Sequence, residues 1–189
     1  MNIIFVRHGE SEDNAGVIKG EDTILTKRGK EQAKALGNRL KKYNIATIYT
    51  SRLRRAKQTG EIISKILKVP IKENLEELDE YPHKHLRSRL LFLFDIKLRK
   101  RIKRLKRFLD GISKEREEDK TILVIAHGIT NKIIMSHLVQ IPWRKQMLRF
   151  NQDNTGVNML TWKKEYKNWS VRYINDIEHL PINLRNTPR

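Results

Sequence analysis

The sequence of 189 residues contains no cysteine. This absence excludes disulfides, thiolate nucleophiles and most structural zinc sites, and it is typical of proteins from a reducing compartment. Long apolar runs are absent as well. The apolar run at residues 3–6 stops at Arg7, so it is too short for the core of a signal peptide and far too short to span a membrane. We therefore expect a cytoplasmic protein without a transmembrane segment.

Acidic residues are few compared with basic ones. The chain has 22 Asp and Glu against 40 Lys and Arg, which gives a formal net charge of +18. Such a balance indicates anionic partners, whether phosphate esters, nucleic acid or an acidic membrane surface, and it says nothing about the fold.

The imbalance is greatest between Asp95 and Asp110, where no acidic residue occurs. Apolar residues repeat there at spacings of three and four, so we predict a helix at about 85–117. Its like charges at i,i+4 are uncompensated and destabilise the isolated helix. Two interpretations stay open: a solvated outer face of a packed helix, or a contact surface for a polyanion. The basic residues concerned are Lys97, Arg99, Lys100, Arg101, Lys103, Arg104, Lys106 and Arg107.

The length of the chain fits one ordinary domain with a full hydrophobic core. We predict a single domain over residues 1–180, in which the basic helix at about 85–117 is an insertion. After Pro181 we predict a flexible basic tail, residues 181–189.

Two apolar runs end in the same way. Residues 3–6 lead into Arg7-His8-Gly9, and residues 122–126 lead into His127-Gly128. Unbroken apolar runs of this length are typical of strands buried on both faces of a parallel or mixed sheet. In open α/β sheets the ligand crevice lies just beyond the carboxyl ends of the strands. We therefore expect His8 and His127 at one rim of the sheet.

Strands and helices alternate along the chain. A helix at about 27–42 precedes a strand at 45–50, and that strand leads into a second helix, for which Ser51 is the predicted N-cap. Arg55 falls in the first turn of this helix, beside a strand end. Two or three strands follow the last helix. This order predicts an α/β fold: a three-layer sandwich with a mostly parallel central sheet and helices on both faces.

The polar residues at the strand ends suit the transfer of a phosphoryl group without a metal. Arginine grips phosphate oxygens with a planar fork and keeps its charge, which suits Arg7 and Arg55. Neutral imidazole is a nucleophile at cell pH, which suits His8, while His127 is either protonated or donates a hydrogen bond. No cofactor is predicted. No metal is predicted either, because His83 and His85 lack a third ligand at sensible spacing.

A larger set of residues then points to a family. The set comprises Arg7-His8-Gly9-Glu10-Ser11 with Asn14, Leu25-Thr26 with Gly29, Ser51-Arg52-Leu53-Arg54-Arg55-Ala56 with Thr59, Leu75-Glu76-Glu77, Ala126-His127-Gly128, Asn175-Asp176 and His179-Leu180. In this order and spacing they resemble the phosphatase branch of the histidine phosphatase superfamily, the phosphoglycerate-mutase-like proteins. The resemblance extends from residue 3 to about residue 180.

The resemblance implies a covalent mechanism. His8 becomes phosphohistidine, Arg7, Arg55 and His127 hold the phosphoryl group, and water later releases it. Asn14 and Gly128 are implied as further phosphate-binding residues.

The same resemblance places Glu77 in the family's Leu-x-Glu element, as the proton donor. Glu76 and Glu80 remain alternatives, because the loop that follows lacks the family's glycine and its Trp-Glu-Gly-like element. For the same reason the identity of the substrate cannot be transferred.

We therefore predict a metal-independent phosphomonoesterase, a histidine acid phosphatase-type hydrolase. Its substrate is a phosphorylated small molecule or a phosphoprotein. One alternative is a phosphotransferase of the phosphoglycerate-mutase type, although the chain is short for those mutases. A second alternative is a protein that uses this fold to bind nucleic acid or an acidic membrane.

Overall fold

The computed structural model describes residues 1–82, 93–114, 119–141 and 151–186. Six strands form one sheet in the order β3-β2-β4-β1-β5-β6. The strands are β1 Asn2–Arg7, β2 Ile45–Thr50, β3 Ile71–Lys72, β4 Thr121–Ala126, β5 Val157–Lys163 and β6 Asn168–Asp176. The α-helices are α1 Lys27–Leu40, α2 Arg54–Leu67, α3 Ile96–Lys114 and α4 Gly128–Leu138. Short 3₁₀ helices lie at Glu76–Leu78 and Ile182–Leu184.

The sheet is mixed and mostly parallel, as predicted. Strands β3, β2, β4 and β1 pair in parallel, whereas β5 and β6 are antiparallel to their neighbours. Strand β1 shows how the layers arise. Ile3 and Phe5 point to the face covered by α3 and α4, and Ile4 and Val6 point to the face covered by α1 and α2. All four side chains are fully buried. The predicted three-layer α/β architecture is confirmed.

A close backbone contact fixes the turn that follows β1. The Thr26 hydroxyl accepts a hydrogen bond from the Gly29 amide and caps α1. The helix start therefore lies directly on the turn at Gly9 and Glu10. A Cβ atom on Gly29 would lie 2.0 Å from the Glu10 carbonyl oxygen, and one on Gly9 would lie 2.5 Å from the Gly29 carbonyl oxygen. Only glycine allows this approach.

We expect Gly29→Ala to destabilise the protein by about 1–3 kcal/mol, because the added methyl group overpacks against backbone atoms that cannot move aside. Gly111→Ala in α3 is the matched control, since a Cβ atom there meets nothing within 4 Å. That substitution should be neutral or should stabilise by about 0.5–1 kcal/mol, because alanine favours helix. Urea unfolding of both variants checks this. Equal urea midpoints for Gly29→Ala and Gly111→Ala would show that the close contact between Gly9 and Gly29 does not require glycine.

One predicted detail differs from the structure, and the predicted tail is described only as far as residue 186. Ser51 is not a helix cap: the N-cap of α2 is Leu53, without a side-chain hydrogen bond, and Ser51 has other partners. In the predicted flexible tail, the Leu184 carbonyl oxygen accepts a hydrogen bond from the Gln32 side chain at 2.8 Å, and the Asn186 side chain bonds to Asp153 at 3.1 Å. Residues 181–186 are therefore held against the domain.

The basic helix is present as α3, which begins at Ile96 and ends at Lys114. The remainder of the predicted range, at 85–92 and 115–117, lies outside the described residues. Within the described chain, no helix combines the length and the apolar character needed to cross a bilayer.

Candidate active site

The two histidines lie side by side at the carboxyl ends of adjacent strands. His8 follows β1 and His127 follows β4, and the parallel register pairs Arg7 with Ala126 immediately before them. Their ring centroids are 5.0 Å apart at an interplanar angle of 58°. Both residues are buried, His8 with 2% and His127 with 0% of its surface exposed. His8 and His127 therefore lie at one rim of the sheet, as the two strand ends predicted.

Two arginines complete this cluster. Arg55 lies in the first turn of α2, and its Nε donates to His8 Nε2 at 3.1 Å, while its Nη1 donates to the Glu21 carbonyl oxygen. Arg7 Nη1 donates to the Gln152 carbonyl oxygen at 2.6 Å. Each guanidinium is therefore oriented by a backbone carbonyl. Because arginine keeps its charge at any relevant pH, the cluster carries fixed positive charge.

Hydrogen bonds define the tautomer of His8. Nδ1 lies 2.7 Å from the Gly9 carbonyl oxygen, which only accepts, so Nδ1 carries the proton. Nε2 then has a free electron pair, and it accepts from Arg55. The pKa of His8 is lowered well below its usual value, chiefly by burial and further by the positive charges of His127, Arg7 and Arg55. His8 is consequently neutral, with no proton on Nε2.

His127 has one occupied nitrogen and one open nitrogen. Ser51 Oγ donates to Asp79 Oδ1 at 2.7 Å, so at 3.0 Å it accepts from the Nε2 proton of His127. Nδ1 is buried and has no hydrogen-bond partner among the described residues. Burial and the charges of Arg55 and Arg7 lower the pKa of His127 as well. A buried polar atom without a partner calls for an explanation, and a proton on Nδ1 would turn this nitrogen into a hydrogen-bond donor.

Asp79 has a structural part in this arrangement. Besides the Ser51 hydroxyl it accepts from the Arg52 amide at 3.1 Å, and its carboxylate pairs with the Arg52 guanidinium. It thereby joins the segment after β3 to the end of β2.

The three carboxylates left open by the sequence lie in different surroundings. Glu76 pairs with Arg104 of α3 at 2.9 Å. Glu77 is half-buried, and its backbone carbonyl accepts from the Tyr81 hydroxyl at 3.0 Å. Glu80 Oε1 accepts from the amide of Ile129, two residues after His127, at 3.1 Å. Of these three carboxylates, Glu80 is the one whose side chain bonds to the backbone next to His127.

Burial raises the pKa of Glu80. The charges of Arg7 and Arg55 and the amides of Tyr81 and Ile129 act in the opposite direction and are outweighed. The surroundings of this carboxyl group therefore favour its protonated form more than water does.

The remaining predicted phosphate-binding residues lie at the same rim. Asn154 Nδ2 donates to the His8 carbonyl oxygen and to Asn14 Oδ1, each at 3.0 Å, so Asn14 is fixed beside the turn after β1. Gly128 is the first residue of α4, whose N-cap is His127.

Sequence reasoning missed four residues of this site. Ser51 and Asp79 orient His127, while Gln152 and Asn154 orient Arg7 and the His8 backbone. The sequence does contain a signal for Gln152 and Asn154, because residues 151–154 are all polar and lie just before a strand that begins at Val157.

The two other histidines considered as a metal pair, His83 and His85, lie outside the described residues. The described part of the chain contains no group of three His, Cys, Asp or Glu side chains that would hold a metal ion.

The buried imidazoles predict how stability depends on pH. Burial lowers the pKa of both His8 and His127. It also lowers the pKa of His179, whose Nε2 lies 3.1 Å from Thr155 Oγ1, to about 4. In the unfolded chain histidine binds its proton near pH 6.5, so below about that pH the unfolded state binds more protons than the folded state. The free energy of unfolding should therefore fall as the pH drops from about 6.5 towards 4.

Urea unfolding at a series of pH values measures this slope. His179→Gln should make it shallower, because one of the three depressed pKa values is then removed. A slope that is unchanged in this variant would assign the acid sensitivity to other groups.

Comparison with known proteins identifies the family. Residues 3–88 and 97–177 match the profile of the histidine phosphatase superfamily (branch 1). The chain belongs to this superfamily. The "Putative phosphoserine phosphatase 2" of Hydrogenobacter thermophilus is 28% identical over an alignment 200 residues long, gaps included, which covers 94% of this chain and 96% of that protein. The "Probable phosphoglycerate mutase GpmB" of Salmonella paratyphi A is 26% identical over 206 residues, covering 95% of each chain.

Solved structures show the same fold. The crystal structure of a phosphoserine phosphatase mutant from Entamoeba histolytica in complex with phosphoserine superposes with a TM-score of 0.76 and 24% identity, covering 95% of this chain and 99% of that one. Family membership and relatives named as phosphatases support phosphatase activity, the hydrolysis of phosphoric monoesters.

Proposed function

We propose that this protein is a metal-independent phosphomonoesterase that works through a phosphohistidine intermediate on His8. The observation that carries the proposal is the meeting of two buried histidines, 5.0 Å apart, with Arg55 bonded to one of them. This cluster supplies a neutral nucleophile and fixed positive charge around the space where a tetrahedral anion binds.

In the first step His8 Nε2 attacks phosphorus and the bond from phosphorus to the ester oxygen breaks. The electron pair of that bond stays on the leaving oxygen, which takes a proton from a carboxylic acid. In the second step the resulting carboxylate removes a proton from water, the water oxygen attacks phosphorus, and His8 regains its electron pair. Arg7 and Arg55 neutralise the equatorial oxygens in both steps.

We assign the acid to Glu80 in preference to Glu77. Burial raises the pKa of Glu80, and the positive charges of Arg7 and Arg55 act on its carboxyl group. Glu76 is engaged with Arg104 on α3, which supports its exclusion.

We also propose that His127 takes up a proton when a phosphate ester binds. Its Nε2 proton is directed at Ser51, so a neutral ring has no hydrogen at Nδ1. A dianion beside Nδ1 would offset the burial that keeps the ring neutral. The imidazolium then donates from Nδ1 to a phosphoryl oxygen.

For the substrate we propose a phosphorylated small molecule. Relatives are named for phosphoserine and phosphoglycerate, and both compounds are small phosphate monoesters. Transfer between positions of phosphoglycerate is the second candidate, because the relative from Salmonella named as a mutase aligns over 95% of both chains. The lack of cysteine supports a cytoplasmic location.

The test is hydrolysis of an aryl phosphate in the presence of a chelator, followed by a screen of small phosphate esters that includes phosphoserine and phosphoglycerate. We expect hydrolysis to persist in the chelator. Activity that disappears and returns only with added divalent metal would contradict the scheme. Release of inorganic phosphate from 3-phosphoglycerate supports hydrolysis, whereas formation of its 2-phospho isomer would support transfer.

A further inference from the structure

The outer face of α3 is a separate feature of the molecule. The helix packs on the sheet through Leu98, Ile102, Leu105, Leu109 and Ile112, all buried. Its opposite side is formed by exposed basic residues, namely Lys97, Arg99, Lys100, Lys103, Arg104, Lys106 and Arg107. We call these residues the basic face of α3. Lys97 and Arg107 lie ten residues apart, so the face is about 15 Å long.

Among the described residues, few acidic side chains neutralise this charge. Arg101, at the edge of the face, donates to the carbonyl oxygens of Asp79 and Glu80 and covers the Tyr81 ring at 3.7 Å. Arg104 pairs with Glu76. Within the described ranges, the other basic residues of the face form no ion pair with an acidic side chain. Like charges three and four residues apart disfavour the helix, so an anionic partner would relieve a real repulsion.

Exposed apolar residues adjoin this charge. Leu93, Phe94 and Ile96 are 51%, 78% and 62% exposed at the start of the helix. They lie within one turn of Lys97. A basic surface with neighbouring aliphatic and aromatic side chains is typical of segments that rest on a bilayer, where charge contacts the headgroups and apolar side chains enter the acyl boundary.

We infer that the basic face of α3, together with Leu93, Phe94 and Ile96, docks the protein on an anionic phospholipid surface. Charge complementarity to lipid phosphates selects the partner, and the three apolar side chains favour lipid over nucleic acid. Leucine and isoleucine offer neither a hydrogen bond nor a flat ring to a nucleic acid, whereas both are stabilised in the acyl boundary. The inference is independent of the phosphatase chemistry, since none of these residues lies in the histidine cluster.

The test is flotation of the full chain with phosphatidylcholine vesicles, with or without phosphatidylglycerol. Binding should require phosphatidylglycerol and fall steeply as salt rises. Replacing Lys97, Lys100, Lys103 and Arg107 together by glutamine should weaken binding by at least about tenfold. The matched control replaces Lys27, Lys30, Lys41 and Lys42, four exposed lysines at α1, by glutamine and lowers the net charge equally. That control should retain most of the binding.

Phe94→Ser separates lipid from nucleic acid. It should weaken vesicle binding severalfold, while binding of a short RNA duplex, whose paired bases leave no open face for stacking on Phe94, should not change. Thermal unfolding checks that each variant is folded. The inference is overturned if binding is equal with and without phosphatidylglycerol, if the α1 control loses as much as the α3 variant, if Phe94→Ser binds vesicles like the wild type, or if RNA binds and vesicles do not.

Discussion

Replacing His8 by alanine is expected to lower the hydrolysis of any phosphate monoester by at least about 10⁴-fold, the scale seen when an enzymatic nucleophile is removed. The proposed mechanism assigns the attack to His8, whose Nδ1 proton is committed to the Gly9 carbonyl oxygen and whose Nε2 therefore carries no proton. Arg7, Arg55 and His127 stay in place in this variant, so binding of phosphate should survive while turnover stops.

His137→Ala is the matched control, because His137 lies on α4 with Asp110 as its partner at 2.8 Å and takes no part in the cluster. This variant should hydrolyse substrate at the wild-type rate. Rapid acid-free quenching with a radiolabelled ester should trap an acid-labile phosphoprotein in the wild type and in His137→Ala, and none in His8→Ala. Substantial turnover by His8→Ala would refute the covalent mechanism.

Glu80→Gln is expected to lower kcat by about 10²–10³-fold for alkyl phosphates, the range typical of general acid catalysis. For an aryl phosphate with a good leaving group, kcat/KM should fall little, because a stabilised phenolate needs no proton, whereas kcat should still fall because the second step loses its base. Glu77→Gln, the matched control in the neighbouring turn, should retain activity within a few-fold for both substrates. This pair of variants tests the two assignments directly.

The pH profile adds a second readout for the same carboxyl group. The pKa of His8 is lowered, so kcat/KM should not decline until the pH falls well below 6.5. The pKa of Glu80 is raised, so the alkaline limb should report the loss of its proton and should be absent in Glu80→Gln. If Glu77→Gln removes that limb and Glu80→Gln keeps it, the acid is Glu77, as the sequence predicted.

The architecture was predictable because it rests on local patterns. Apolar runs that end in His-Gly gave β1 and β4, and the parallel order of strands followed from the helices between them. Since carboxyl ends of parallel strands share one edge, the proximity of His8, His127 and Arg55 followed as well. These conclusions need only periodicity and chain order.

The surroundings of the carboxylates were not predictable in this way. The chain contains Leu-x-Glu twice in succession, at Leu75-Glu76-Glu77 and Leu78-Asp79-Glu80, and spacing from a strand cannot separate two elements three residues apart. Burial and the contact with the Ile129 amide distinguish them, and both depend on tertiary packing.

The helix cap was predicted wrongly for a related reason. Ser51 precedes α2 and is a residue type that often caps helices. The N-cap is Leu53, and the Ser51 hydroxyl accepts from the Leu53 amide at 3.1 Å. The same hydroxyl also donates to Asp79 and accepts from His127, partners 28 and 76 positions away in the chain. These distant partners depend on the fold, which the sequence pattern does not contain.

Asp79 and Glu80 are adjacent in the chain, but their carboxyl groups have different partners and different proposed roles. The Asp79 carboxylate pairs with the Arg52 guanidinium and accepts from the Ser51 hydroxyl, whereas Glu80 is proposed to carry a proton. Arg101 Nη2 donates hydrogen bonds to the backbone carbonyl oxygens of both residues. A shift of this segment by one position would place Asp79 where Glu80 lies, so the two hydrogen bonds from Arg101 keep the backbone in the register that the proposed chemistry needs.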